Sequence, residues 1–259
     1  MSILEKIIAH KKQEVAERKT LFPTELLERS VFFHTPCVSL LKYLKEKNKS
    51  GIIAEFKRRS PSKGAINAYA DVEQVTIGYM QAGASALSVL TDGEFFGGKF
   101  DDLRTARKFN FCPILQKDFV VEEYQIIEAK SIGADAILLI AACLSKQEVA
   151  HLSKFARSLG LQVLLEIHEA SELDFYTENV QIVGVNNRNL SDFTVNVEQS
   201  FRLLPQLPPA AAKVSESGIN SPVTAAQLLA AGFDGLLIGE NFMKNSRPEL
   251  ACLEFIEQL

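Results

Sequence analysis

Glu55 and Lys57 stand two residues apart at the end of an apolar run, Gly51 to Lys57 (GIIAEFK), so in an extended strand both side chains leave on one side. A carboxylate and an ammonium facing an apolar interior must pair with each other or meet a charged ligand, because either alone is costly to desolvate. A purely structural ion pair is the competing reading. A second lysine, Lys117, closes the run Phe111 to Lys117 (FCPILQK) and precedes Asp118 and Phe119. Solvent exposure is the commonest fate of such a lysine. Glu166 and His168 share a face at the end of QVLLEIH, and a lone glutamate behind apolar residues is a candidate acid or base with a raised pKa. His168 reads as a helix-start residue instead. Asn186 and Arg188 share one direction after VQIVGVN, a pair suited to orienting a substrate hydroxyl and an anion.

Two later segments point to phosphate. Ser215-Glu216-Ser217-Gly218-Ile219-Asn220 and Leu237-Ile238-Gly239-Glu240-Asn241 each put a glycine between an apolar run and a helical pattern. Free backbone N–H groups and the positive end of a helix dipole hold an anion there, and glycine lets it come close. Tight turning alone explains one such glycine better than it explains the pair. Ser60-Pro61-Ser62-Lys63-Gly64 can supply a mobile loop that closes over the same phosphate.

These residues need elements that bring them to one place. After about residue 50, short β-branched or Leu-rich runs alternate with helical patterns. The runs are Gly51 to Lys57, Ala86 to Leu90, Phe111 to Lys117, Asp135 to Ile140, Gln162 to Ile167, Val180 to Asn186, Ala211 to Ser215 and Gly235 to Ile238. Helical stretches lie near Val72 to Gln81, Asp102 to Lys108, Glu122 to Ser131, Lys146 to Ser158, Ala170 to Tyr176, Glu198 to Leu204, Pro222 to Ala230 and Pro248 to Glu257. Near-continuous apolar strands imply burial on both faces, and the helices supply right-handed crossovers between parallel neighbours. The α/β fold class that follows is a (β/α)8 TIM barrel, whose reactive groups gather at the carboxyl ends of the strands. Glycines in AGASALSVL, IGADAILLI and AGFDGLLIG each end a helix before the next strand. An open doubly wound sheet is the structural rival, but no G-x-G-x-x-G follows the first strand.

A chain of 259 residues suits a single barrel domain over residues 1–259, of which 1–48 is an amino-terminal helical extension. Ile3, Ile7, Ile8 and Val15 make one amphipathic helix, with shorter ones over Thr24 to Arg29 and Val38 to Lys47. Lys45 to Gly51 reads as a solvated turn into the first strand. The extension is either a decorative cap or a lid.

Lys and Arg number 28 against 32 Asp and Glu, a net charge of −4, which gives no broad basic field for nucleic acid or anionic lipid. Neither a signal peptide nor a membrane span is legible, and a cytoplasmic location is expected. Cys37, Cys112, Cys143 and Cys252 are far apart and read as reduced, mostly buried thiols rather than metal ligands.

EFKRRSPSKG at Glu55, SVLTDGEFFGG at Ser88, QKDFVVEEYQI at Gln116, GADAILLI at Gly133, LLEIH at Leu164, GVNNRNL at Gly184, SESGI at Ser215 and GLLIGENFM at Gly235 occur in that order. This set resembles the motifs of the indole-3-glycerol-phosphate synthase family over nearly the whole chain, including the helix ILEKIIAHKKQEV. The resemblance implies a lyase of tryptophan biosynthesis that acts on a small phosphorylated substrate, without cofactor or metal, as a monomer or weak homodimer. It implies that Lys117 is a general acid, that Lys57 holds the substrate carboxylate, and that Glu166 assists a final dehydration. Glu55, Asn186 and Arg188 would fix charges and hydroxyls, with Glu216 and Ser217 in the active-site SESG loop. Ser60, Gly218, Gly239 and the backbone of Glu240 would bind phosphate, and Phe96 and Phe119 would wall an aromatic ring. Gln116 stands where an arginine is common in the family, and Glu240-Asn241-Phe242 replaces a more familiar Glu-Ser-Leu or Ser-Ser-Leu. The nearest rival, phosphoribosylanthranilate isomerase, needs a cysteine and aspartate at strand ends, whereas Cys112 falls inside a predicted strand. A catalytically retired barrel would have no evident reason to keep inward charges at Lys57, Lys117 and Glu166.

Overall fold

The computed structural model describes residues 2–190 and 192–259. Three helices come first, α1 (Ile3–Leu21), α2 (Thr24–Leu27) and α3 (Leu40–Lys45). The chain then alternates through β1 (Ile52–Phe56), α4 (Val72–Gln81), β2 (Ala86–Leu90), α5 (Phe100–Phe109), β3 (Ile114–Lys117), α6 (Glu123–Ser131), β4 (Ala136–Ile140) and α7 (Lys146–Ser158). It continues with β5 (Gln162–Ile167), a 3-10 segment (Ala170–Phe175), β6 (Ile182–Asn186), α8 (Glu198–Leu203), β7 (Ala212–Glu216), α9 (Pro222–Ala231), β8 (Gly235–Ile238), α10 (Glu240–Met243) and α11 (Pro248–Ile256). Each strand pairs parallel with its neighbours, and β1 pairs with both β2 and β8, which closes the ring. The predicted (β/α)8 barrel is the fold observed.

Strand alternation divides the apolar residues between two cores. Ile52, Ala54 and Phe56 point outward against the helices, while Ile53 joins Leu115, Leu138, Leu164, Val214 and Leu237 inside the ring. Leu40 and Leu44 of α3 belong to that inner cluster, beside Ala136 and Ala212, the first residues of β4 and β7. The floor of the barrel is thereby stoppered. The charged side chains Glu55, Lys117, Glu166 and Glu216 lie near the carboxyl ends of the strands, beyond this apolar filling.

Local chemistry sets the element ends. Asp71, Ser145 and Ser221 accept backbone N–H groups at the starts of α4, α7 and α9. The three predicted stop glycines, Gly83, Gly133 and Gly232, all adopt positive φ. The third strand begins at Ile114 rather than Phe111, because Pro113 has no N–H for the ladder and Phe111 is exposed. Asp135 falls outside the fourth strand, since its carboxylate accepts the N–H groups of Ile114 and Val38. The third amino-terminal helix is shortened to Leu40–Lys45, with Ser39 as its cap. The predicted helix over Ala170 to Tyr176 is the 3-10 segment instead; Glu172 folds back onto the N–H groups of His168 and Glu169 and tightens the turn.

Candidate active site at the carboxyl ends of the strands

A cavity of about 420 Å3 opens at the carboxyl ends of the strands, and every site residue singled out in the sequence lines it. Inside it, Lys117 Nζ at the end of β3 lies 3.1 Å from Glu166 Oε2 on β5 and 3.7 Å from Glu216 Oε2 on β7. Asn186 donates from Nδ2 to Glu166 Oε1 at 3.0 Å, and its own Oδ1 accepts the Arg188 N–H at 3.0 Å. On β1, Lys57 Nζ meets Glu55 Oε1 at 2.6 Å, so the pair predicted from their spacing is formed. Glu55, Glu166 and Glu216 are buried, whereas the two lysines are partly open to the cavity.

Two glycines create the room these carboxylates occupy. A Cβ on Gly184 of β6 would lie 2.1 Å from Glu216 Oε1, and one on Gly239 would lie 2.4 Å from Glu55 Oε1. Both positions have a reason to be glycine beyond turning.

The electrostatics differ in one respect from the sequence expectation. Burial pushes the Glu166 carboxyl up, but Lys117, His168 and the Asn186 amide outweigh it and hold Glu166 below the usual glutamate range. The predicted raised pKa belongs to Glu216 instead. Burial drives it up, the pull of Lys117 is too small to cancel that, and the nearby Glu166 and Glu55 charges add to it, leaving it pushed up to about 8. Burial tends to lower the Lys117 ammonium, yet Glu166, Glu216 and Glu55 together raise it above its ordinary value. At neutral pH the cluster therefore holds a charged lysine, a charged glutamate and a protonated glutamate that can share or pass on its proton. His168 lines no part of the cavity, but its Nε2 stands 3.5 Å from Glu166 Oε1, closer to the chemistry than a helix-start residue needs to be.

The opposite wall is formed after β7 and β8. Ser217 and Gly218 have φ of 68° and 77°, so a non-glycine residue is held in the left-handed region beside the cavity. Arg188 Nη2 lies 3.3 Å from Glu240 Oε2, and Lys63 Nζ lies 3.7 Å from Glu240 Oε1. Two cations able to meet a phosphate, Arg188 and Lys63, are thus both held by one carboxylate. Ser60 and Ser62, 3.4 Å apart, complete that side.

The aromatic wall is a tilted pair, Phe96 and Phe119, with ring centroids 5.8 Å apart. Ile3, Leu4 and Ile7 of α1 extend it. The amino-terminal helix is thus part of the cavity wall and not a decoration remote from the site. Its buried stripe is Ile7, Lys11 and Val15, with Lys11 in the middle. Sequence reasoning passed over Lys11, although its i+4 spacing from Ile7 and i−4 spacing from Val15 marks it as inward.

All four cysteines are free, and burial pushes the Cys112 thiol up to about 12. Cys112 lies before β3, at the end of the barrel away from the cavity. Among the described residues no helix is long and apolar enough to cross a membrane, and no three His, Cys, Asp or Glu side chains are grouped to hold a metal ion.

A family model described as indole-3-glycerol phosphate synthase matches residues 4–255. The chain is 48% identical over 257 residues to a Bacteroides thetaiotaomicron protein of that name, covering 99% of this chain and 98% of the relative. It is 41% identical over 252 residues to one from Acidithiobacillus ferrooxidans, covering 95% of each. Among solved structures, tryptophan synthase subunit alpha from Legionella pneumophila superposes with a TM-score of 0.61 over 84% of this chain and 94% of that one. At 15% identity the last similarity speaks for the fold alone.

Proposed function

The chain belongs to the indole-3-glycerol phosphate synthase family, and on that premise we propose how its side chains divide the reaction. The reaction joins the carboxylate-bearing ring carbon of 1-(2-carboxyphenylamino)-1-deoxyribulose 5-phosphate to the ketone carbon of its sugar chain, then loses CO2 and water to give indole-3-glycerol phosphate. Lys117 is the general acid that gives its proton to the ketone oxygen as the ring carbon attacks. An oxygen gaining negative charge inside the barrel mouth needs a positioned donor, and an ammonium aimed there stabilises the transition state more than the ketone it starts from.

Lys57 holds the substrate carboxylate against the ring plane until CO2 departs, with Glu55 keeping its ammonium in place. Glu166, oriented by Asn186, removes the proton that lets water leave. Glu216, protonated at neutral pH, supplies a second proton reservoir beside Lys117. Arg188, Ser60, Gly218, Gly239 and the backbone of Glu240 seat the phosphate, while Phe96 and Phe119 flank the anthranilate ring. Ile3, Leu4 and Ile7 of α1 add an apolar part to the wall of the same cavity.

The observation that carries this reading is Lys117 standing between Glu166 and Glu216 in one cavity that is also lined by Gly218 and Gly239 of the loops after β7 and β8. The test is incubation of the purified chain with the carboxyphenylamino sugar phosphate while following indole fluorescence. Appearance of indole-3-glycerol phosphate supports the assignment, and an unchanged substrate spectrum overturns it.

A further inference from the structure

Lys11 is 1% exposed on the face of α1 turned toward the barrel. Its Nζ lies 2.9 Å from carboxylate oxygens of Asp92, Asp118 and Glu14. The two aspartates belong to different loops. Asp92 follows β2, and Asp118 directly follows Lys117 at the end of β3. Both are buried, and among the described residues Lys11 is the one cation within 4.0 Å of either.

Each aspartate also organises its own loop. Asp92 Oδ1 accepts the N–H groups of Phe95 and Phe96 at 2.8 and 3.1 Å. Asp118 Oδ1 accepts the Phe119 N–H at 2.8 Å, and its Oδ2 accepts the Thr91 hydroxyl at 2.5 Å. Thr91 in turn accepts from Gln116 Nε2 at 2.8 Å. His10, the neighbour of Lys11, packs edge-on against Phe95. One ammonium therefore joins the helix to the segment that holds Phe96 and to the segment that holds Lys117 and Phe119.

Plain attachment of the helix would need only another apolar residue on the stripe between Ile7 and Val15. A buried cation is required only because two buried carboxylates meet there, and without it they would repel and spread the loops that carry them. We propose that Lys11 is a positioning residue for ring closure, its ammonium setting the distance between the loops after β2 and β3 and so the alignment of the Phe96–Phe119 wall with Lys117. This rests on the reading that Lys117 and those two rings handle the substrate.

The test is Lys11→Met, with the exposed neighbour Lys12→Met as the control for loss of a charge. Displacing a catalytic group by about an ångström costs on the order of 100-fold, so kcat of the folded Lys11→Met enzyme is expected to fall about that far. Inhibition by inorganic phosphate, which reads the separate loops after β7 and β8, is expected to stay within about twofold. If Lys11→Met does not fold, Lys11→Met combined with Asp92→Asn, which removes one of the repelling charges, is measured against the same criteria. A folded variant with kcat within about threefold of wild type, a parallel loss of turnover and phosphate inhibition, or failure of both variants to fold overturns the proposal. Lys117→Ala assayed alongside separates the premises: full activity there removes the reading of the site, whereas an inactive Lys117→Ala beside an active Lys11→Met removes only the role of Lys11.

Discussion

Lys117 and Glu166 meet across the barrel mouth from β3 and β5, two strands that never pair, with Nζ 3.1 Å from Oε2. The contact spans β4, whose interior side chains there, Leu138 and Ile140, are apolar. Because both side chains point into the ring, an acid and a base from strands separated by β4 meet above its apolar interior residues.

Lys117→Ala removes the proton donor. The expected result is a fall in kcat of roughly 100- to 10,000-fold, the usual range for loss of a general acid, with the far-ultraviolet circular dichroism of the barrel retained. Steady-state formation of indole-3-glycerol phosphate at near the wild-type rate would show that another group protonates the ketone.

Inorganic phosphate is expected to compete with substrate at the loops after β7 and β8. Glu240→Gln is expected to strengthen that inhibition by roughly fivefold, because an exposed ion pair contributes about 1 kcal/mol or less while a carboxylate beside an incoming dianion opposes it. Inhibition that is absent, or insensitive to this substitution, would move the phosphate elsewhere.

Glu216 makes stability depend on pH. Its folded-state carboxyl is pushed up to about 8, above the unfolded value, so between those values the native state holds a proton that the unfolded chain has released. The stabilisation from this proton is fully present below the unfolded value and is lost as pH rises through about 8, with a limiting slope of about 1.4 kcal/mol per pH unit. Thermal unfolding at pH 6 and pH 8 is expected to show a drop for wild type that Glu216→Gln lacks; equal drops in both would contradict the assignment.

Gly184→Ala tests the packing beneath that carboxyl. The added Cβ would fall 2.1 Å from Glu216 Oε1 and 2.8 Å from Leu164 Cδ2, with barrel walls on both sides. Overpacking of this kind costs about 1–3 kcal/mol, which a melting curve reads directly. An unchanged melting temperature would mean that Glu216 has another place to go.

The barrel was legible because its signals are local. Parallel strands buried on both faces read as apolar runs such as AILLI, and glycines at 83, 133 and 232 stop helices where positive φ is needed. The site was legible for the same reason: strand alternation sends Glu55 and Lys57, or Glu166 and His168, in one direction without any knowledge of the remainder. What the sequence withheld depends on partners brought close by closure of the ring. Glu166 looked like a glutamate raised by apolar neighbours until Lys117 and Asn186 arrived from other strands. Lys11 stands at an inward spacing on α1, but the reason for a charge there appears only when Asp92 and Asp118 meet it from two loops. The 3-10 winding after β5 likewise depends on which N–H groups Glu172 finds.

The stopper formed by Leu40 and Leu44 has a bearing on traffic. With the amino end of the ring filled, a charged sugar phosphate entering and an indole leaving use one doorway, and so does the gas released between them. The order of departures is then a matter of which product clears the threshold first, and the helix bearing Ile3, Leu4 and Ile7 stands on that threshold.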